Sequence, residues 1–417
     1  MVDLVKKIFN GNSKFYKCQK HYSSVRKNIH KQYLKTGKIK VAFLVVFNSV
    51  FPARTIFEKM LNDSVFEPVI FVVPNVSSTM KFQMDTLNLA YDELAAEYPG
   101  KVVKAYDFDT DTYLDLKDEY SIMFFANPYN TLVHPLHHVE NFLDKNVLPV
   151  YVSYGFAALK FWEEVIATDF YNYMWMCPIE TPANLKHLKS VEKIKGKNGV
   201  VTGYIKMDKM AQEEIEPRQR KRILICPHHT VFGWDKLNIS NFLKYSDLFI
   251  RLPKLYKDID FIFRPHPLLL QNLSKYNIWT EEQINEYMSS LLENDNMTYD
   301  ASGDYFDKFV NSDAMIHDCG SFIGEYLYTE KPCCYMMKSK EATYNGLVPF
   351  GQQCMDQYYH AFEEKDIIDF IENVVINGND PKKEERVNFV EKELKVNYPH
   401  AADNLIAKIK KSLRIKK

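Results

Sequence analysis

No stretch of this chain of 417 residues approaches the roughly 18 consecutive apolar residues that cross a bilayer. The longest candidate, Val41 to Phe47, stops far short, which argues against an integral membrane protein. Met1 to Asn10 lacks the apolar region of a signal peptide, so export by that route is not expected. The seven cysteines form neither a Cys-x-x-Cys pair nor a zinc spacing, and their number is odd. That pattern fits a reducing, cytoplasmic setting rather than a disulfide framework. Also missing are a Walker lysine loop, a Gly-x-Gly-x-x-Gly turn, a His-Glu-x-x-His pair and paired metal carboxylates, so kinase, dehydrogenase and metallohydrolase readings have no support. Neither a metal nor a cofactor is expected. No internal repeat or low-complexity segment is present.

Turning to what is there, 46% hydrophobic and 14% aromatic residues mark a globular chain with a large core. A net charge of −1 hides a strong asymmetry: residues 1–41 carry eleven Lys or Arg against Asp3, and residues 401–417 carry six against Asp403. The middle is therefore strongly acidic. With Leu4, Ile8, Phe9 and Phe15 near the start and Leu405, Ile406, Ile409 and Leu413 near the finish, the basic ends fit an anionic membrane surface, each cation there contributing about 1 kcal/mol. The competing reading is a solvated arm and a C-terminal helix packed on the fold. Nucleic acid is not expected, because no aromatic-interleaved or helix-turn-helix motif accompanies the charge.

Apolar, β-branched runs recur at 39–47, 66–73, 102–106, 122–126, 148–153, 171–176 and 200–202, separated by helical patterns such as 80–98 and 139–144. A charged stretch around 206–221 has no apolar face to bury and reads as an interdomain linker. Alternation resumes with strands at 223–226, 260–263, 297–299, 314–316 and 333–336 and helices around 241–256 and 280–292. Past Gln353 only helices are expected. This pattern predicts an α/β protein with two doubly wound, Rossmann-like domains. The expected divisions are a basic arm over 1–37, an N-terminal domain over 38–205, the linker, a C-terminal domain over 222–380 and C-terminal helices over 381–417.

Three strand ends in the second half terminate in polar residues: Pro227-His228-His229-Thr230, Arg264-Pro265-His266-Pro267, and His317 through Ser321. Ligands of open parallel sheets bind outside the carboxyl ends of strands, so the three loops are expected in one crevice. Arg264 suits a bidentate grip on phosphate. His266, between two prolines, suits donation to a phosphoryl oxygen or leaving group. The strand-turn-helix reading of Asp313 to Met337 sets Gly320 and Ser321 at a helix N-terminus, where a phosphate is favoured, with Glu325 one turn on for ribose hydroxyls. The bland alternative is an ordinary capped βα unit with Glu325 on a solvated face.

Taken together these motifs, with Ser312 to Phe322 and Glu325-Tyr326-Leu327, resemble the CDP-glycerol glycerophosphotransferase (teichoic-acid primase and polymerase) family, and more closely its branch in capsule and surface-polysaccharide loci. The resemblance is specific across roughly 199–340. It implies a GT-B fold, with two Rossmann-like domains facing across a cleft and C-terminal helices crossing back, on a peripheral enzyme at the inner face of the cell membrane. It further implies transfer of a polyol phosphate, such as glycerol or ribitol phosphate, from a CDP-activated donor to a hydroxyl of a lipid-linked or saccharide acceptor, with release of CMP. By motif, Arg264 and His266 match the family's Arg-Pro-His element at the donor diphosphate, Ser321 its serine turn, and Glu325 its helix acid. Two positions differ. Tyr154-Gly155 stands where the family has a His-Gly pair whose His is the proposed base, and Gly203-Tyr204-Ile205-Lys206-Met207-Asp208 keeps a cation, Lys206, where the family has arginine.

The candidate catalytic residues are accordingly His266, His228, His229 and Tyr154. Candidate donor-binding residues are Arg264, Gly320, Ser321, Glu325, Lys206 and His317. Two rival functions remain: a GT-B glycosyltransferase using a nucleotide sugar, whose donor site would share the same phosphate turn, and an inactive membrane-associated scaffold of a polysaccharide-synthesis complex, favoured by Tyr154, because a phenol with pKa near 10 is a poor base at neutral pH.

Overall fold

The computed structural model describes residues 2–232 and 237–415, with side chains from residue 13 onward. The chain divides into two compact units. The first comprises Met1–Tyr154, Glu163–Asp208 and Val396–Lys417, and the second Gly155–Trp162 and Lys209–Lys395. Each is an α/β unit built on its own parallel sheet.

In the first unit the runs of β-branched and aromatic residues form β1 (Ile39–Val45), β2 (Phe66–Val72), β3 (Val102–Lys104), β4 (Ile122–Phe124) and β5 (Leu148–Val150). They lie in the order β3-β2-β1-β4-β5, all parallel, with Ile39 opposite Phe66 and Val41 opposite Ile122. β1 is buried along nearly its whole length, as a central strand covered on both faces must be. The Phe43 and Phe124 rings stack across it at 4.4 Å. Helix Arg54–Leu61 covers one face through Ile56, Phe57 and Met60.

The two chain ends belong to this core. Val2–Thr36 is a helix, and Phe15, Tyr22, Val25 and Ile29 on its inner stripe are buried, with the Tyr22 hydroxyl donating to Tyr173 O at 2.6 Å. Ala401–Ser412 is the returning helix, and it buries Leu405, Ile406 and Ile409, with Leu413 following. This corrects the expectation of a free basic arm and of an apolar C-terminal face for lipid: Phe15 and all four C-terminal residues are used inside the unit. Leu4, Ile8 and Phe9 lie outside the described side chains. Among the described residues, no helix is long and apolar enough to cross a membrane.

In the second unit the strands are β6 (Lys221–Cys226), β7 (Ile259–Phe263), β8 (Met297–Tyr299), β9 (Ala314–His317), β10 (Cys333–Met336) and β11 (Tyr359–Ala361). Their order is β8-β7-β6-β9-β10-β11, all parallel, which is the full six-strand doubly wound order. Helix Phe242–Leu255 packs Phe242, Leu248, Phe249 and Leu252 onto the sheet.

Four further expectations are corrected. Residues 171–176, read as a strand, begin inside helix Asp169–Tyr173, because Thr168 caps that helix by accepting the Tyr171 N–H; the strand follows at Cys177–Ile179. β11 lies beyond Gln353, where strands were expected to stop; its three residues are too few to show a period. The expected linker starts inside a 3-10 helix, Ile205–Gln212, whose Asp208 accepts the N–H groups of Ala401 and Ala402 at 3.1 and 2.8 Å. The second unit runs to Lys395 rather than ending at 380.

Where the first unit hands over the chain, Gly203 has φ +94°, and a Cβ there would stand 2.0 Å from Val396 O, at the point of return. Both the conformation and the approach demand glycine. Gly203→Ala should therefore cost at least about 1–3 kcal/mol, read as a fall in Tm of several degrees; an unchanged Tm would contradict this packing.

Candidate functional site

In an open parallel sheet the strand order reverses at one place, and loops leaving the carboxyl ends on either side of it diverge to leave a crevice. In the second unit that place lies between β6 and β9. The loop after β6 carries His228 and His229, the loop after β7 carries Arg264 and His266, and the loop after β9 carries Asp318 to Ser321.

Asp318 ties these loops together. Fully buried, its carboxylate accepts the His228 N–H at 2.6 Å and the Asn241 N–H. Burial pushes the Asp318 carboxyl up to about 7, while the N–H bonds pull it the other way. The His266 N–H donates to Pro227 O at 2.9 Å, which fastens the β7 loop to the β6 loop.

The result is a cluster of three imidazoles. Ring centroids lie 4.3 Å apart for His228 and His229, 4.1 Å for His229 and His266, and 5.2 Å for His228 and His266. All three pKa values are lowered, first by burial; the neighbouring imidazoles add to it for His228 and His266, and His266 falls to about 3. Near neutral pH the rings are uncharged. One nitrogen from each ring falls within 4.8 Å of the others, a spacing that would also let a metal ion be held.

The other expected residues are placed as follows. Arg264 stands beside the cluster, but its fork is closed: it pairs with Asp300, donates to Ser302 Oγ at 3.2 Å and Ser302 O at 2.7 Å, and lies over the Tyr305 ring. At 9% exposure a guanidinium requires such a counter-charge, so the expected open grip on phosphate is corrected. Glu325 is fully buried and receives the Tyr305 hydroxyl, so it stands neither on a crevice wall nor on a solvated face. Gly320 is close-packed: a Cβ there would meet Leu159 Cδ1 at 2.4 Å, so any side chain would have to displace Leu159 of the 155–162 segment. Ser321 is half-buried, makes no capping bond, and precedes an α-turn, Phe322–Glu325, that runs on as a 3-10 helix, Tyr326–Thr329.

His317 ends β9 inside the core. Its Nδ1 accepts the Cys319 N–H at 3.1 Å, its Nε2 has no hydrogen-bond partner among the described residues, and the Tyr335 and Tyr358 rings stand edge-on at 5.0 and 5.7 Å. It is a core residue rather than a ligand contact. Tyr154 and Lys206 belong to the first unit. The Tyr154 hydroxyl lies 3.0 Å from that of Tyr129, and burial followed by this contact pushes its pKa far up, so it stays protonated and does not suit the role of base.

Sequence reasoning missed Asp318, Asp300, Thr230 and Asn272, which hold the cluster in place. Asp318 and Asp300 carried a legible signal, since each is an acid directly after a strand end of a doubly wound unit.

No protein-family model matches the chain, and no curated protein sequence matches it. Solved structures do. The wall teichoic acid polymerase TagF superposes over 97% of this chain and 98% of its own, with TM-score 0.58 and 14% identity. The S. aureus MnaA–UDP co-structure covers 91% of this chain and 98% of its own at TM-score 0.56 and 11% identity. UDP-GlcNAc 2-epimerase from Neisseria meningitidis, bound to UDP-GlcNAc, covers 89% and 99% at TM-score 0.52 and 12% identity. The chain thus has the GT-B type of fold, with two Rossmann-like units.

The state of His317 sets a pH dependence. Burial depresses its pKa to about 3, so the folded protein cannot take the proton that the unfolded chain binds near 6.5. Its contribution to stability is complete above 6.5 and is lost as pH falls toward 3, at up to about 1.4 kcal/mol per pH unit. His317→Asn, which keeps an acceptor for Cys319 N–H and cannot titrate, should show in denaturant melts a pH slope shallower by about half a proton on average between pH 7.5 and 5.5, approaching one proton below pH 5.5. Equal slopes would contradict it.

Proposed function

We propose that the chain is a transferase that moves a polyol phosphate from a CDP-activated donor to a hydroxyl of a lipid-linked or saccharide acceptor, releasing CMP, in synthesis of a teichoic-acid-like or capsular surface polymer. The observation that carries this reading is the gathering of three neutral imidazoles at the switch point of the second unit's sheet, where a donor diphosphate is expected in this fold. The fold shared with TagF, solved with CDPG, and with nucleotide-bound epimerases supports a nucleotide-activated donor.

In this reading the second unit holds the donor. The acceptor hydroxyl attacks phosphorus in line and gives up its proton to water, the P–O bond to CMP breaks, and His266 offsets the charge growing on the leaving oxygen. Arg264 stiffens the loop through Asp300 and Ser302 instead of gripping the phosphate. Tyr154, held protonated, serves as a donor and not as the base. The basic outer face of the N-terminal helix supplies the contact with an anionic membrane surface.

A nucleotide-sugar donor is the second reading, favoured by the epimerase neighbours. One assay separates the two: purified protein with CDP-glycerol, CDP-ribitol and UDP-GlcNAc, each with a lipid-linked acceptor. CMP release with phosphorus in the product supports the first reading; UDP release and a phosphorus-free product support the second. On the active donor, His266→Ala should keep a near-native Tm and lose about a hundred- to a thousand-fold in rate. A destabilised but active variant would remove His266 from the reaction.

A further inference from the structure

Which nitrogen of each clustered imidazole carries the proton is fixed by what faces the other nitrogen. Nδ1 of His266 accepts the Leu268 N–H at 3.1 Å. Nδ1 of His229 faces Asn272 Nδ2 at 3.0 Å, and the same amide nitrogen donates to His229 O at 3.2 Å, which orients it as a donor to both. Nδ1 of His228 faces the Thr230 hydroxyl at 3.1 Å and the Thr230 N–H at 3.4 Å. That hydroxyl already accepts the N–H groups of Ile239 and Ser240, both at 3.3 Å, so its own proton is turned to His228.

All three Nδ1 atoms are therefore acceptors, and all three protons sit on Nε2. A metal held by Nε2 needs that lone pair free and Nδ1 protonated, usually donating to a carbonyl or carboxylate. Here a proton on Nδ1 would meet an N–H or O–H donor at each ring, and at His229 alone the ring's own carbonyl is also within reach. The same clash opposes the imidazolium that general acid catalysis requires.

We propose that His228, His229 and His266 form a tautomer-locked set of three neutral Nε2–H donors for the oxygens of a phosphate or diphosphate, and that they neither hold a divalent cation nor transfer a proton. The inference rests on the donor-phosphate reading of the same site and specifies how that site works. The charged groups around it agree: Arg264 is neutralised by Asp300, Asp318 is spent on backbone N–H groups, and Lys338 after β10 is felt by Asp318. Neither the causes that lower His266 nor those that lower His228 include a carboxylate. Among the described residues no acceptor is bonded to the three Nε2–H groups, and an oxyanion would supply one.

The test uses full-length protein with 15N-labelled histidine at pH 8, probed with sulfate and separately with Zn2+. The expected spectra show the Nε2–H form at all three rings, shifted by sulfate and unchanged in protonation, with sulfate binding heats equal in Tris and HEPES because no proton moves. Stoichiometric Zn2+ binding at the three rings, an Nδ1–H form, or buffer-dependent heat would overturn the proposal, as would the absence of sulfate binding. In turnover, His266→Gln, which keeps an N–H near the Nε2 position, should retain activity within about tenfold of wild type while His266→Ala loses about a hundredfold or more; a Gln variant as inactive as Ala would also overturn it. Sulfate binding and tautomer state do not depend on catalysis, so a chain that releases no nucleotide yet shows the locked tautomers would refute the proposed reaction and leave this inference standing.

Discussion

The buried carboxylate of Asp318 is the interaction on which the site depends. A charge taken out of water survives only where hydrogen bonds replace hydration, and Asp318 obtains them from the backbone of His228 and Asn241. Those donors follow β6 and precede helix Phe242–Leu255, while Asp318 itself follows β9. One side chain thus closes the sheet's switch point, and the Tyr335 hydroxyl adds a bond to Asp318 O at 3.2 Å from β10. Losing it would leave buried N–H groups without partners, at about 1–3 kcal/mol each, and would free the loop that carries two of the three imidazoles.

From that constraint the electrostatic character of the site follows. Rings packed at 4–5 Å in a desolvated corner cannot share positive charge, so they rest neutral. Arg264, the residue whose chemistry looked most suited to phosphate, is too buried to stand unpaired and serves the loop instead. In the proposed reading, stiffness falls to Arg264, spent on Asp300, and recognition to the neutral imidazoles.

Much of this was legible in the sequence. The long β-branched runs of β1, β2, β6 and β7 announce two doubly wound sheets, because strands buried on both faces leave unmistakable apolar stretches. The polar strand ends gave the position of His228, His229 and His266. Three-residue β11 and the helix at Asp169–Tyr173 were not legible, since short elements are decided by tertiary contacts and caps rather than by period. Nor could spacing reveal that Gly320 serves Leu159, or that Glu325 is claimed by Tyr305 from another part of the unit. Long-range pairing of this kind leaves no local trace. The amphipathic C-terminal helix was legible from its period, but its apolar face is taken up by the first unit's core.

Hydrogen exchange with and without CDP-glycerol tests the central claim most directly. The account predicts added protection at the amides of residues 226–232 and 264–269, the loops leaving β6 and β7, with the carboxyl ends of β1 and β4 unchanged. Protection confined to the first unit, or none at saturating ligand, would contradict a donor phosphate seated on the three histidines.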